Sequence, residues 1–266
     1  PLASVPVIDF SRFREGNREQ RLKVARQLHD AAHNVGFMSL VNHGMSAERL
    51  QRIFDQSRAF FAQPDPVKQA VAYRDTQTNT GYVAVKRESL DPDGAPDLKE
   101  AFNIKCPIGH AEKNRWPDRP DGFQDEIEGL YDACVELSNR VLEAFALALD
   151  LDPSFFTARH TERNQTLRLL HYPPLPDDVE LGGSQWRAGA HSDYGSITLL
   201  FQDDVGGLEV QALDGTWLAV EPVPDALLVN TGDLMERWTN DIYRSTRHRV
   251  GPPPAGKSDR HRYSMV

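Results

Sequence analysis

The stretch Gly189–Leu200, GAHSDYGSITLL, places a histidine and an aspartate two positions apart, just ahead of an apolar run that we expect to be a buried strand. Residues i and i+2 of a strand point to the same face of the sheet. His191 and Asp193 can therefore offer two ligands to one ion from a strand end. An isolated H-x-D pair, however, is more often part of a turn. The rest of the chain has to decide between a polar turn and a metal site.

A second histidine, His248 in STRHRV, follows about 55 positions after Asp193. In a domain of folded-over short strands, that distance can return the chain to the same face. Two histidines and one carboxylate on one face of an octahedron are typical of non-haem Fe(II) oxygenases, because open positions remain for substrate and O₂. A zinc hydrolase could use the same ligands, but the sequence offers no evident general base beside them.

A candidate anion site follows about 14 positions later, in the RYS segment that contains Arg262 and Ser264. One strand places both side chains on one face, where a guanidinium and a hydroxyl suit a carboxylate. Tyr172, in LLHYPP, can add another hydroxyl. A buried arginine without an anionic partner would be costly. The segment therefore predicts a bound carboxylate, unless Arg262 pairs with an acidic side chain at the surface.

The hydrophobic pattern changes from helical to strand-like along the chain. Periodicity of three to four residues predicts helices over residues 19–35, 46–64 and 123–149. After about residue 165, short apolar runs are separated by Gly, Pro, Asp or Asn, which predicts a β-sandwich or barrel. Residues 74–121 lack periodicity, and we expect a long irregular stretch there with a mobile surface loop at 88–97.

Composition limits the classes of partner. The net charge of −9 argues against a general nucleic-acid-binding protein. The two cysteines, Cys106 and Cys134, cannot build a disulfide framework. The sequence contains neither an apolar run of about 18 residues nor a recognisable signal peptide. We therefore expect a cytoplasmic enzyme with a small-molecule substrate, without membrane association, nucleic-acid binding or an obligate protein partner.

The ordered series H-x-D, H-R-V and R-x-S resembles the Fe(II)/2-oxoglutarate-dependent oxygenases, specifically their isopenicillin N synthase-like branch. The similarity extends over nearly the whole chain through segments in the family's order: VPVIDFS, GFMSLVNHG, TGYVAV, DLKEAFNI, LRLLHYPP, VGGLEV and LLVNTGDLMERWTND. It implies a mixed α and β fold with a double-stranded β-helix, or jelly-roll, core and N-terminal helices. Within one structural unit it implies an N-terminal region at 1–120, a supporting helix at 121–160 and the jelly-roll core at 161–266.

The resemblance also implies roles for particular residues: His191, Asp193 and His248 for Fe(II), and Arg262, Ser264 and Tyr172 for the cosubstrate 2-oxoglutarate. The reaction would consume O₂, release succinate and CO₂, and hydroxylate, desaturate or cyclise a small molecule. Two alternatives stay open, namely an iron oxidase of the same branch that does not use 2-oxoglutarate and a non-catalytic jelly-roll binding protein. Asn230 and Asp233, in NTGD, are expected to shape a turn.

Overall fold

The computed structural model describes residues 4–74, 79–91, 94–106, 114–175 and 181–266. Its α-helices are α1 (Ser11–Glu15), α2 (Arg18–Asn34), α3 (Ala47–Phe61), α4 (Asp65–Ala70), α5 (Phe123–Ala148) and α6 (Asp233–Trp238). Its strands are β1 (Val7–Asp9), β2 (Phe37–Val41), β3 (Gly81–Val83), β4 (Glu100–Lys105), β5 (Thr166–Tyr172), β6 (Ala188–His191), β7 (Ile197–Gln202), β8 (Leu208–Gln211), β9 (Trp217–Ala219), β10 (Leu227–Thr231), β11 (His248–Val250) and β12 (Arg262–Met265).

The strands form two sheets that face each other. The larger sheet has the order β1-β2-β10-β7-β12-β5-β4-β3, and the smaller has the order β6-β11-β8-β9. Apolar side chains from both sheets pack into one cluster between them, with Leu170 and Leu228 from the larger sheet and Leu208 and Val250 from the smaller. This two-sheet arrangement is the one expected of a jelly-roll core.

Helices cover the other face of the larger sheet. The fully buried side chains of α5, among them Ile127, Leu130 and Val141, join a second apolar cluster with α2, α3 and the sheet. Local sequence explains where these helices begin. Asn17 and Gln20 form a reciprocal capping box at the start of α2, and the Ser46 side chain accepts a hydrogen bond from the first turn of α3. The three predicted helices are present with ends within a few residues of the prediction.

The expectation of an irregular stretch over residues 74–121 is wrong in part, because β3 and β4 lie inside it. Strand β4 is almost entirely buried, and it carries the polar residues Glu100 and Asn103 inward. A strand buried on both faces shows no alternation of apolar and polar residues, so its sequence gives no strand signal. The predicted loop at 88–97 includes residues 92–93, which lie outside the described ranges. The last residue of this loop, Asp97, is buried in the core.

Both halves of the chain contribute to the larger sheet, since β1 to β4 from the first part flank strands from the last. The predicted division of the chain into regions 1–120, 121–160 and 161–266 stays a prediction. Among the described helices, none combines the length and apolar character required to cross a membrane.

Candidate active site

The three predicted metal ligands come together where the smaller sheet meets the loop after β6. His191 and His248 are direct cross-strand partners on β6 and β11, and their ring centroids are 4.3 Å apart. Each Nε2 atom lies 3.7 Å from Oδ1 of Asp193. One ligand atom from each residue falls within 4.8 Å of the others. This spacing would allow the three residues to hold one metal ion between them.

Backbone carbonyls orient both imidazoles toward this point. Nδ1 of His191 lies 2.8 Å from the carbonyl oxygen of Gly189, and Nδ1 of His248 lies 3.1 Å from that of Thr246. Because a carbonyl oxygen only accepts, each Nδ1 donates, and in the neutral form of the ring this leaves the Nε2 lone pair available to an ion. Burial, reinforced by the charge of His248, lowers the pKa of His191 to about 4. His191 is therefore an uncharged metal ligand at neutral pH.

The carboxylate of Asp193 is held by a cross-strand pair of polar side chains. Thr198 on β7 and Asn230 on β10 face each other, and they donate to Oδ2 of Asp193 over 2.6 and 2.8 Å. This leaves Oδ1 directed at the two histidines. Burial raises the pKa of Asp193, but the charge of His248 and these two hydrogen bonds outweigh it, so the pKa lies below its ordinary value.

The prediction that Asn230 shapes a turn is therefore wrong. Asn230 lies inside strand β10 and is 2% exposed. Its signal in the sequence is an amide directly after the apolar run LLV, because a buried polar group requires a partner. Asp233 is the first residue of α6, where it accepts hydrogen bonds from the hydroxyls of Ser192 and Ser245.

The three predicted carboxylate-binding residues, Tyr172, Arg262 and Ser264, also lie close together, on the neighbouring strands β5 and β12. Arg262 on β12 lies directly opposite Tyr172 on β5, with its guanidinium carbon 4.7 Å from the centre of the tyrosine ring. Nη1 of Arg262 is 3.4 Å from the hydroxyl of Ser264, and Nη2 donates to the side-chain oxygen of Gln202 over 3.0 Å. Nε has no hydrogen-bond partner among the described residues.

Arg262 is 1% exposed, so the alternative of a surface ion pair is wrong for the described part of the chain. A buried cation with an unpartnered N–H is the environment that an anionic ligand requires. Two further polar residues at this place were missed from sequence. Gln202 orients the guanidinium, and Arg187, just before β6, is completely buried beside Tyr172.

A chain of charged side chains supports the strand that carries His191. The buried carboxylate of Asp97 accepts the backbone N–H of Gly189 over 2.9 Å and pairs with Lys99 over 2.6 Å. Lys99 also lies 3.2 Å from Glu88, whose two oxygens accept from Arg168 over 2.7 and 2.6 Å. Burial raises the pKa of Glu88, but the charges of Arg168 and Lys99 outweigh it and leave the pKa low. Only the folded chain brings these residues together.

A cavity of about 810 Å³ lies mainly on the opposite face of β7. Ile197, Leu199 and Phe201 line it beside α5, and Asp193 and Thr198 also border it. The Thr198 hydroxyl donates to Asp193, and the Gln202 side chain accepts from Arg262. The prediction that SITLL is a buried strand is therefore only partly right, since Ile197 to Leu200 are half-buried. The face of β7 that points into the barrel is the one that serves the site.

Comparisons with known proteins show the family to which the chain is similar. Residues 5–119 match the family model described as non-haem dioxygenase in morphine synthesis N-terminal, and residues 163–266 match the 2OG-Fe(II) oxygenase superfamily. The chain is 37% identical to the 2-oxoglutarate-Fe(II) type oxidoreductase hxnY of Emericella nidulans, over 98% of this chain and 77% of that protein.

Solved structures show the same similarity in three dimensions. A full-length Neurospora crassa protein in complex with alpha-KG matches with a TM-score of 0.91 and 36% identity, covering 98% of this chain and 83% of that one. The complex of the same Neurospora crassa protein with alpha-KG and thymine matches with a TM-score of 0.89 and 34% identity, over 98% and 84%. The expected mixed α and β fold with a jelly-roll core is thereby confirmed.

Proposed function

The chain belongs to the 2OG-Fe(II) oxygenase superfamily, in its isopenicillin N synthase-like branch, and from this premise we propose which of its residues carry the reaction. As the motifs predicted, it is a non-haem dioxygenase that uses Fe(II) and 2-oxoglutarate. When bound, the Fe(II) and the 2-oxoglutarate would activate O₂, which is the oxidant, while 2-oxoglutarate is itself oxidised to succinate and CO₂.

We propose that His191, Asp193 and His248 hold the Fe(II). The observation that carries this assignment is that Nε2 of both histidines and Oδ1 of the aspartate converge on one point. The remaining ring nitrogens and the second carboxylate oxygen are all hydrogen-bonded to the protein. Three protein ligands leave further coordination positions open for cosubstrate and O₂. The complete set of ligands also disfavours a non-catalytic binding protein.

The distal carboxylate of 2-oxoglutarate is assigned to Arg262 and Ser264, with Tyr172 beside it. The support is the burial of Arg262, the unpartnered Nε, and a hydroxyl at hydrogen-bonding distance on the same strand face. A charged fork and a hydroxyl give the carboxylate charge-assisted hydrogen bonds where water is excluded. The buried cation calls for an anionic ligand, and the 2-oxoglutarate used by this superfamily supplies one.

The organic substrate is proposed to be a small molecule that is hydroxylated, desaturated or cyclised. The support is the similarity to the Neurospora crassa protein, which has been crystallised with thymine. On this chain, the apolar side chains between the two sheets would keep water away from the reacting atoms.

The test is a comparison of His191→Ala with His33→Ala. His33 lies at the end of α2 and contacts the backbone of Ile242, away from the site. Fe(II) affinity is measured without O₂, and succinate is then quantified after O₂ is admitted with 2-oxoglutarate and candidate small molecules. We expect His191→Ala to lose both, and His33→Ala to keep both. Equal Fe(II) affinity in the two variants would refute the ligand assignment.

A further inference from the structure

A second arginine lies beside the proposed 2-oxoglutarate site, and the function assigned above does not account for it. Arg187 directly precedes β6, and its backbone N–H donates to the carbonyl of Val250 on the neighbouring strand β11. The side chain is completely buried. Nη2 donates to the carbonyl oxygens of Tyr172 and Pro173 over 2.8 and 2.9 Å. Nε and Nη1 are buried without a hydrogen-bond partner among the described residues.

The guanidinium of Arg187 shares its surroundings with that of Arg262. Their central carbons lie 5.5 and 4.7 Å from the centre of the same ring, that of Tyr172. Burial, together with the charge of Arg262, lowers the pKa of Arg187 to about 10, so this side chain is still a cation at neutral pH. Two like charges in one buried region repel each other.

Neither guanidinium forms an ion pair or a hydrogen bond with a carboxylate of the described residues. Asp203 attracts Arg187 electrostatically, but its two oxygens accept the backbone N–H groups of Val205 and Tyr263. Three buried N–H positions, Nε and Nη1 of Arg187 and Nε of Arg262, are thus left unsatisfied by the described part of the chain. Unpaired buried charges and donors are costly, and a single bound anion would satisfy both needs.

We propose that Arg187 is a second binding residue for the distal carboxylate of 2-oxoglutarate, acting together with Arg262. This inference rests on the proposed assignment of that carboxylate to Arg262 and Ser264. Two guanidinium groups give both carboxylate oxygens charge-assisted donors. The ligand class is therefore a dicarboxylic 2-oxoacid, and Arg187 contributes to the rejection of 2-oxoacids that lack the second carboxylate.

The competing explanation is purely structural, because Nη2 of Arg187 ties down the backbone at Tyr172 and Pro173. The two explanations differ in which ligands are affected. Loss of a structural contact would disturb the binding of every 2-oxoacid. Loss of a carboxylate-binding group would weaken the binding of dicarboxylic 2-oxoacids alone.

The experiment measures the affinity of the Fe(II)-loaded protein for 2-oxoglutarate and for 2-oxopentanoate, by calorimetry without O₂. The latter has the same five-carbon chain but no distal carboxylate. Variants are Arg187→Met, Arg187→Lys and Arg262→Met. Arg249→Met is the matched control, because Arg249 is a partly buried arginine that stacks on Trp186 and Trp217 and pairs with Glu209.

We expect Arg187→Met to weaken 2-oxoglutarate binding about 10- to 100-fold, and to change 2-oxopentanoate binding less than about threefold. Arg187→Lys keeps the charge and should give an intermediate loss of the preference for 2-oxoglutarate. It is the variant to interpret if Arg187→Met does not fold. Arg249→Met should keep the wild-type preference.

An unchanged preference in Arg187→Met and Arg187→Lys, or an equal loss for both ligands, would overturn the role of Arg187. The parent assignment is tested separately by Arg262→Met. If that variant keeps the wild-type preference for 2-oxoglutarate, the proposed carboxylate site itself is wrong. If only Arg262→Met loses the preference, the site is right and Arg187 serves the backbone.

Discussion

The hydrogen bonds to Asp193 should control how tightly the protein holds its iron. Thr198→Val and Asn230→Leu each remove one donor to Oδ2 of Asp193 and nearly preserve side-chain volume. With one donor gone, the carboxylate can rotate, and Oδ1 is no longer held 3.7 Å from the two Nε2 atoms of His191 and His248. Both hydrogen bonds also favour the ionised form, so the pKa of Asp193 should rise.

The size of the effect follows from the chemistry of the contact. A hydrogen bond to a charged group contributes about 1.5–3 kcal/mol, which corresponds to a factor of about 10 to 150 in an equilibrium constant. Residues that orient metal ligands typically change metal affinity by about 10- to 100-fold. Because Thr198 and Asn230 bind the same oxygen, the double variant should lose less affinity than the product of the two single losses.

The assay is an anaerobic Fe(II) titration against a competing chelator, with the free energy of unfolding of the metal-free protein measured alongside. Ser192→Ala is the control, since Ser192 lies between two ligands in sequence but its hydroxyl donates to Asp233. Its affinity should stay within about threefold of wild type. If Thr198→Val and Asn230→Leu both fold and bind Fe(II) within about twofold of wild type, the orientation argument fails.

Three other positions give sharp expectations. In Gly232→Ala, the added Cβ would lie 2.6 Å from the backbone oxygen of Asp193, so the loop that carries Asp193 must shift. Fe(II) affinity should then fall at least about tenfold in the same titration. Unchanged affinity would contradict this. Glu100→Gln removes the buried ionic partner of Lys68, which then keeps only the exposed carboxylate of Asp65, and should cost about 3–5 kcal/mol of unfolding free energy at pH 7 in urea melts. Burial raises the pKa of Glu100, but its hydrogen bonds outweigh this and leave the pKa low. The stabilisation by the Glu100 carboxylate is therefore present above the ordinary pKa of a glutamate and is lost as pH falls through the pKa of the folded protein, so the stability difference between variant and wild type should narrow below about pH 4. A stability difference that does not depend on pH would refute the pairing. Ser46→Ala removes the cap of α3 and should lower the free energy of unfolding by about 1 kcal/mol in urea melts, with Fe(II) affinity unchanged. A stability loss below about 0.3 kcal/mol would contradict this.

Arg187 changes how the cosubstrate site is understood. The R-x-S motif nominates one cation, whereas the folded chain places two guanidinium groups against the ring of Tyr172. A motif records residues that are close in sequence. Arg262 lies on β12 of the larger sheet and Arg187 directly precedes β6 of the smaller one, so only the folded chain brings both to the ring of Tyr172.

Much of this protein could be predicted from sequence because the relevant signals are local. Helices α2, α3 and α5 follow from periodicity and caps, and the strand-rich last part follows from short apolar runs with turn residues between them. The choice of His191, Asp193 and His248 came from ligand chemistry and ordered motifs. That of Arg262 and Ser264 came from the alternation of a strand.

Tertiary structure alone decided what supports those groups and which strands neighbour one another. Asn230 was predicted to lie in a turn because its partner, Asp193, is 37 residues away, and the amide in β10 does not by itself reveal which residue it binds. Strand β4 was missed because its buried polar residues find partners on distant elements, such as Lys68 and His171 for Glu100. Long-range pairing depends on which surfaces exclude water together, and a pattern along the chain carries no record of that choice.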